Sequence, residues 1–297
     1  MTDRLFKRLP LRVARASLIA LLSCSLAARA EPAVPELPSS ARQADYLLLG
    51  EVHDNPAGHA LRLAWLRALL MSRPSALAME QFDVENQKPL EAALDQVRNS
   101  GRPDDPDAAR RIAEAGKFNF KGWRWPLYEP VLALALAQGV PLYPANLSRK
   151  SLGEIMSGQQ PPPPEPARWS DAQRAALLHE VKEGHCNLMP ESQLPLLAGA
   201  QRARDLTMAQ ALVALHRKTG RPVILLAGNG HLRNDLAVPV WLHQLDPGAK
   251  VASVAVLERD SSPEDSPPEK AFDAVYWVAR ATRPDPCEAL RKRFGKP

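Results

Sequence analysis

The chain has 297 residues, of which 45% are apolar and 24% charged. That ordinary globular balance excludes a mostly disordered chain, a collagenous one and a small disulfide-stapled scaffold. The length suits one large domain or two modest ones, with a sizeable core. The formal charge of +5 does not imply a nucleic-acid surface. Arg4, Lys7, Arg8, Arg12, Arg15 and Arg29 against Asp3 place that whole surplus in residues 1–30, and residues 31–297 carry equal numbers of basic and acidic groups.

The basic start MTDRLFKRLPLRVAR, the apolar run ASLIALLSCSLAA and the small-residue stretch Ala28-Arg29-Ala30 follow one another as in an export signal. The run is too short for a permanent span, and no later segment is long and apolar enough to be one. Two endings compete: cleavage after Ala28-Arg29-Ala30, or a lipobox at Leu21-Leu22-Ser23-Cys24 with Cys24 lipidated. Both predict a protein outside the cytoplasm, an outer-membrane lipoprotein or a periplasmic one. There Cys186 and Cys287 meet oxidising conditions that permit a disulfide. No metal-type cysteine spacing and no C-x-x-C-H haem-attachment motif occurs.

Residues 31–43 read as a Pro-rich linker, 44–250 as the main domain, and 251–297 as final strands and a tail packed on the same domain. Tyr46–Leu49 is a short apolar run, hence a buried strand. Asn55 and Pro56 cap and open a helix over about 57–71, with Leu61, Trp65 or Leu66, and Leu69 facing inward. A second strand is expected at 76–79 and helix over 86–115, broken at SGRPDDPD. A helix at 127–138 and a third strand at 140–143 follow. The loop SGQQPPPPEP ends at Ser170 and Gln173, in capping-box spacing. A long helix over about 191–218 leads to a fourth strand at 222–227, and the last strands, at 251–257 and 274–279, flank a polar loop at 260–270. Short apolar strands alternating with helices predict an α/β fold: a largely parallel sheet with helices on both faces, plus helical insertions.

Ligands of open parallel sheets bind beyond the strands' carboxyl ends, so the polar residues there carry the functional reading. Glu51 and His53 follow the first strand, Glu80 the second, Asn146 and Arg149 the third, and His231 the fourth. Gln201 and Asp205 interrupt the apolar stripe of the long helix. Glu51, His53, Glu80, Asn146 and His231 are expected to converge on one cleft, either as a ligand site or as a hydrogen-bonded network that only holds the loops, while Gln201 and Asp205 either face that cleft or bond Arg202 or Arg204. Glu51, His53, Glu80 and His231 have the chemistry for general acid/base work, and Glu51, His53 and His231 for a divalent metal. His185 lies in a loop before the long helix, and the remaining histidines read as solvated or satisfied. FNFKGWRWPLYEP packs Phe118, Phe120, Trp123, Trp125 and Tyr128 into a dozen residues, as a core anchor or as a flat surface for a planar ligand.

GEVHDNPAGH, ALAMEQFD, GWRWPLYEPV, YPANLSR, HCNLMPESQ, QRARDLTMAQAL and VILLAGNGHLRNDLAVPVWL, in that order over about 44–245, resemble the ChaN-type iron-regulated lipoproteins, the haem-binding uptake branch of the Tiki superfamily. The resemblance implies an exported bacterial protein that binds haem in iron acquisition, as a homodimer with haem between subunits and with an outer-membrane haem receptor or uptake system as partner. It implies a tyrosinate as iron ligand, a sound ligand for ferric haem, here Tyr128 or Tyr143; Tyr46 and Tyr276 lie inside strands. Arg149 or a histidine would hold a propionate. The superfamily also contains metal-dependent peptidases and erythromycin-esterase-like hydrolases. Carried over, their motifs make Glu51, His53, Glu80 and His231 the reaction centre of an alternative hydrolase. That chemistry would need activated water, because no serine sits in a nucleophile elbow.

Overall fold

A computed structural model describes residues 34–101, 105–259, 270–285 and 287–294. The expected export segment and most of the polar loop at 260–270 lie outside these residues. Among the described residues six strands form one parallel sheet in the order β3-β2-β4-β1-β5-β6. They are β1 (Tyr46–Glu51), β2 (Ala76–Asp83), β3 (Leu142–Asn146), β4 (Val223–Gly228), β5 (Val251–Arg259) and β6 (Ala274–Ala279).

Both sheet faces are covered, so the central strands are apolar throughout rather than alternating. On one face Leu47, Leu49, Leu77, Met79, Ile224 and Leu226 pack against α2 (Pro56–Ser72), α3 (Gln87–Asn99), α4 (Ala108–Ala115) and α5 (Trp125–Ala137). On the other, Tyr46, Leu48, Ala78, Leu225 and Ala227 meet α8 (Leu194–Thr219) and α9 (Val238–Leu245). The Asn55 side chain accepts from Gly58 N and Pro56 opens α2, the cap its sequence specifies. Ser170 and Gln173 form the expected capping box, but it opens a helix, α7 (Asp171–Gly184). Among the described residues no helix is long and apolar enough to cross a membrane.

Several boundaries differ from the sequence reading. The linker contains a short helix, α1 (Ser39–Gln43), and α6 (Arg149–Met156) lies between β3 and the Pro-rich loop. The chain ends in α10 (Glu288–Phe294). β2 runs on through Glu80 and Gln81 to Asp83. β3 starts at Leu142 rather than Val140 and reaches Asn146, so Tyr143 is its second residue and not at its carboxyl end. On α2 the buried face carries His59 and Arg62 beside Trp65, Leu66 and Leu69, whereas Leu61 is only half-buried.

Candidate functional site

β1 and β4 end side by side, with Glu51 opposite Gly228. The strand ends fit closely only because Gly50 has no side chain: a Cβ there would stand 2.1 Å from Asn229 Oδ1. That amide is committed to β5, donating to the Val256 carbonyl at 2.7 Å and accepting from Val256 N at 3.1 Å. A polar floor results at the carboxyl edge of the sheet.

Two ionic clusters stand on this floor. The first surrounds Glu51, which is buried. Its Oε1 meets His53 Nδ1 at 2.7 Å and accepts from the Tyr128 hydroxyl at 2.6 Å and from Gln81 Nε2 at 3.2 Å. Its Oε2 pairs with the fully buried Arg62 guanidinium. Burial alone would raise the carboxyl, but the Arg62 charge and the His53 hydrogen bond override it and hold it at about 2. His59 lies alongside, where burial and the Arg62 charge push it down to about 4. A neutral ring fits its contacts, because Arg62 approaches Nδ1 at 3.1 Å and Nε2 faces the His53 carbonyl at 3.0 Å. That pattern assigns the proton to Nε2.

The second cluster joins β2, β4 and α8. Glu80 is buried, and its Oε2 accepts from Gly228 N at 2.7 Å while Oε1 faces His231 Nε2 at 3.6 Å. His231 Nδ1 meets Asp205 Oδ1 at 2.6 Å, with Gln201 Nε2 at 3.2 Å. Burial works against an imidazolium here, yet Glu80 and Asp205 outweigh it and lift His231 to about 9. Burial raises the Asp205 carboxyl against the pull of His231, and Glu80 is held below the usual carboxylate range against its own desolvation.

His53 sits between the clusters. Its ring occupies the space a side chain at Gly228 would need, because a Cβ there would be 2.8 Å from Cε1 and 2.9 Å from Nε2. The imidazole packs edge-on against Trp123 at 4.7 Å. Its side chain is 44% exposed, whereas those of Glu51, Glu80 and His231 are at most 7% exposed. Nδ1 is committed to Glu51, and Nε2 makes no hydrogen bond among the described residues. Histidines that ligate a metal are commonly held this way, one nitrogen on a carboxylate and the other free. Beyond Trp123, Arg149 lies exposed at the start of α6. Its guanidinium is 3.5 Å from where a Cβ of Gly122 would stand.

The structure thus brings Glu51, His53, Glu80, Gln201, Asp205 and His231 to one sheet edge, with Asn146 buried at the end of β3. The tyrosines fall elsewhere. Tyr128 is fully buried and donates its proton to Glu51. Burial, then the Glu51 charge, push its pKa far up, so its environment opposes the phenolate that iron ligation requires. Tyr143 is half-buried on edge strand β3, in a cavity with Lys218 and Thr219 of α8, away from the strands' carboxyl ends. Glu51, His53 and His231 do not form a metal site. Arg62 and Tyr128 take Glu51, Asp205 takes His231, and no group of three or more His, Cys, Asp or Glu among the described residues could hold an ion. The aromatic stretch anchors the core: Phe118 and Tyr128 are buried, and Phe120, Trp123 and Trp125 are half-buried against the same cluster.

Arg62 and Gln81 were missed from the sequence. The signal for Arg62 was present, a basic residue at an inward position of an amphipathic helix, three before Trp65.

The model of the family described as "Haem-binding uptake, Tiki superfamily, ChaN" matches residues 37–242. Among solved structures, one of cofacial haem binding to ChaN of Campylobacter jejuni is similar at 23% identity and a TM-score of 0.62, over 74% of this chain and 84% of that one. The type III effector HopBA1 follows at 11% identity and a TM-score of 0.44, covering 81% and 90% of the two chains. No curated protein matches.

Proposed function

This chain belongs to the haem-binding uptake family ChaN of the Tiki superfamily, and on that premise we propose that it binds haem on the surface around His53 and Trp123 and carries it in iron acquisition. The observation that carries the placement is the half-exposed His53 imidazole, with Nδ1 held by Glu51 and Nε2 free. Trp123 offers an aromatic face beside it, and Arg149 a guanidinium suited to a propionate. Bound there, haem would supply the iron that His53 ligates. Glu51 and Trp123 orient the ring, and the Glu51–Arg62–Tyr128 cluster keeps the supporting carboxylate ionised.

Cavities around the sheet measure about 250–330 Å³. These volumes lie at the lower end of the range for drug-sized ligands, about 300–1,000 Å³, which supports a macrocycle resting on a face rather than inside one of them. An open face covers one side of a porphyrin and leaves the other to a second haem on a second copy, in keeping with the cofacial haem of the C. jejuni protein. The basic and apolar start of the sequence supports export by either ending considered above, and the Cys186–Cys287 disulfide fits an oxidising compartment. An outer-membrane receptor or uptake system is the corresponding partner.

The test is a haemin titration followed at the Soret band. His53→Ala should remove the saturable spectral shift, whereas Tyr128→Phe and Tyr143→Phe should retain it. Loss of the shift in Tyr128→Phe with its retention in His53→Ala would return the ligand to the tyrosine, and no saturable shift in the unaltered protein would end the haem reading.

A further inference from the structure

The segment after β6 lies beyond residues 37–242, the part of the chain that matches the family model, yet it reaches the turn that carries His53. It leaves β6 at Ala279, whose carbonyl accepts from Asn55 Nδ2 at 2.9 Å. Arg283 then forks between two carboxylates. Its Nε donates to Asp54 Oδ2 and its Nη1 to Glu258 Oε2, each at 2.7 Å, and its Nη2 donates to Glu258 Oε1. Glu258, near the end of β5, also accepts from Asn55 Nδ2 and, at 3.0 Å, from Ala281 N. Cys287 finally joins Cys186, which follows α7. Residues 280–285 have no helix or strand of their own. They are held by Asn55 and Glu258 at the start, by Arg283 in the middle and by the disulfide beyond.

These contacts meet at the residue after His53. Asp54 accepts from Arg283 at its carboxylate and, at 3.2 Å, from Arg124 at its carbonyl. Arg124 is the chain neighbour of Trp123. Asp54 therefore ties the turn bearing the imidazole to the turn bearing the indole, and Arg283 fixes the Asp54 side chain. The local charges balance, Arg124 and Arg283 against Asp54 and Glu258. The Arg283 side chain is 18% exposed and that of Glu258 11%, so their pairing is shielded from the water and salt that weaken surface ion pairs. A guanidinium suits this place better than an ammonium, because its planar fork serves both carboxylates at once.

We propose that Arg283 is a positioning residue for the haem surface: through Asp54 it holds His53 beside Trp123, and the Cys186–Cys287 disulfide keeps Arg283 in place. The proposal rests on the haem reading and adds to that site a segment outside the family match. Two measurements test it. Hydrogen exchange of the haem-free protein, with the amides of β4 as internal reference, should quicken at residues 52–55 and 122–124 in Arg283→Gln and in the double variant Cys186→Ser, Cys287→Ser. Both cysteines are replaced so that no free thiol competes for iron. A merely structural role would quicken β4 as well. In the Soret titration both variants should bind haemin about tenfold more weakly, the scale of one charge-assisted hydrogen bond. At saturation they should still reach the wild-type spectrum, because His53 itself is kept. Arg283→Lys, with the charge but not the fork, should recover part of the loss. Wild-type affinity in either variant, or unchanged exchange at 52–55, would overturn the proposal and leave the haem reading standing. No saturable shift in the unaltered protein would end both.

Discussion

His231 makes the stability of this protein depend on pH on the alkaline side. In the fold its pKa is raised from 6.5 to about 9, because the carboxylates of Glu80 and Asp205 outweigh the cost of burying the imidazolium. A raised pKa contributes stability that is fully present below the unfolded value, near pH 6.5, and is lost as pH climbs through the folded value, near pH 9. At about 1.36 kcal/mol per pH unit, the difference between the two limits is about 3 kcal/mol. For a domain of this size that corresponds to a fall in melting temperature of roughly 6–12 °C. Thermal melts and urea titrations at intervals from pH 6.5 to pH 9.5 measure it directly. His231→Asn cannot titrate there, so its curve should fall less steeply over the same interval, from a lower starting point because Asp205 is left buried without its cation. A wild-type protein equally stable at both ends, or a variant that keeps the wild-type slope, would show that His231 is not charged as described.

The acid side follows Glu51, whose depressed pKa of about 2 contributes stability that is present above about pH 4.5 and lost as pH falls toward 2. Glu51→Gln should destabilise the protein by about 3–5 kcal/mol in urea titrations, since it leaves the fully buried Arg62 without a counter-charge; a cost under about 1 kcal/mol would mean that Arg62 is satisfied elsewhere. Gly228→Ala should keep the fold but displace His53, whose ring lies 2.8 Å from the new methyl position, and so reduce the haem spectrum toward that of His53→Ala. A full Soret shift in Gly228→Ala would contradict the placement of haem on His53. Reducing Cys186–Cys287, which closes a separation of 101 residues, should lower stability by about 2–5 kcal/mol, and Cys287→Ser should match reduced wild type and no longer respond to reductant.

Much of the site can be read from local pattern alone. An apolar run that stops at polar residues marks the end of a buried parallel strand, so Glu51 and His231 could be placed at one sheet edge without coordinates, whereas Glu80 lies inside β2, which runs on to Asp83. The Asn55 and Ser170 caps were equally legible, because a cap depends only on neighbours three residues away. The ordered motifs over about 44–245 pointed to the family, and the family match over 37–242 shows it.

Tertiary structure decided who touches whom. β4 inserts between β1 and β2, which sets His231 against Glu80 and Asp205 and leaves Glu51 to Arg62. Nothing in the periodicity of a strand specifies its lateral neighbour. Tyr128 reads as part of an aromatic surface, yet the docking of α5 over Glu51 turns its hydroxyl inward and keeps its proton, while Tyr143 is carried to the start of an edge strand by a shift of two residues in where β3 begins. His53 reads as one polar residue among several; only the packing of Gly228, Glu51 and Trp123 around it leaves one nitrogen held and the other free. Sequence determined which residues reach the sheet edge, since burial and backbone geometry repeat along the chain. Protonation and accessibility were decided by distances between residues far apart in sequence, because desolvation and Coulomb forces act through space.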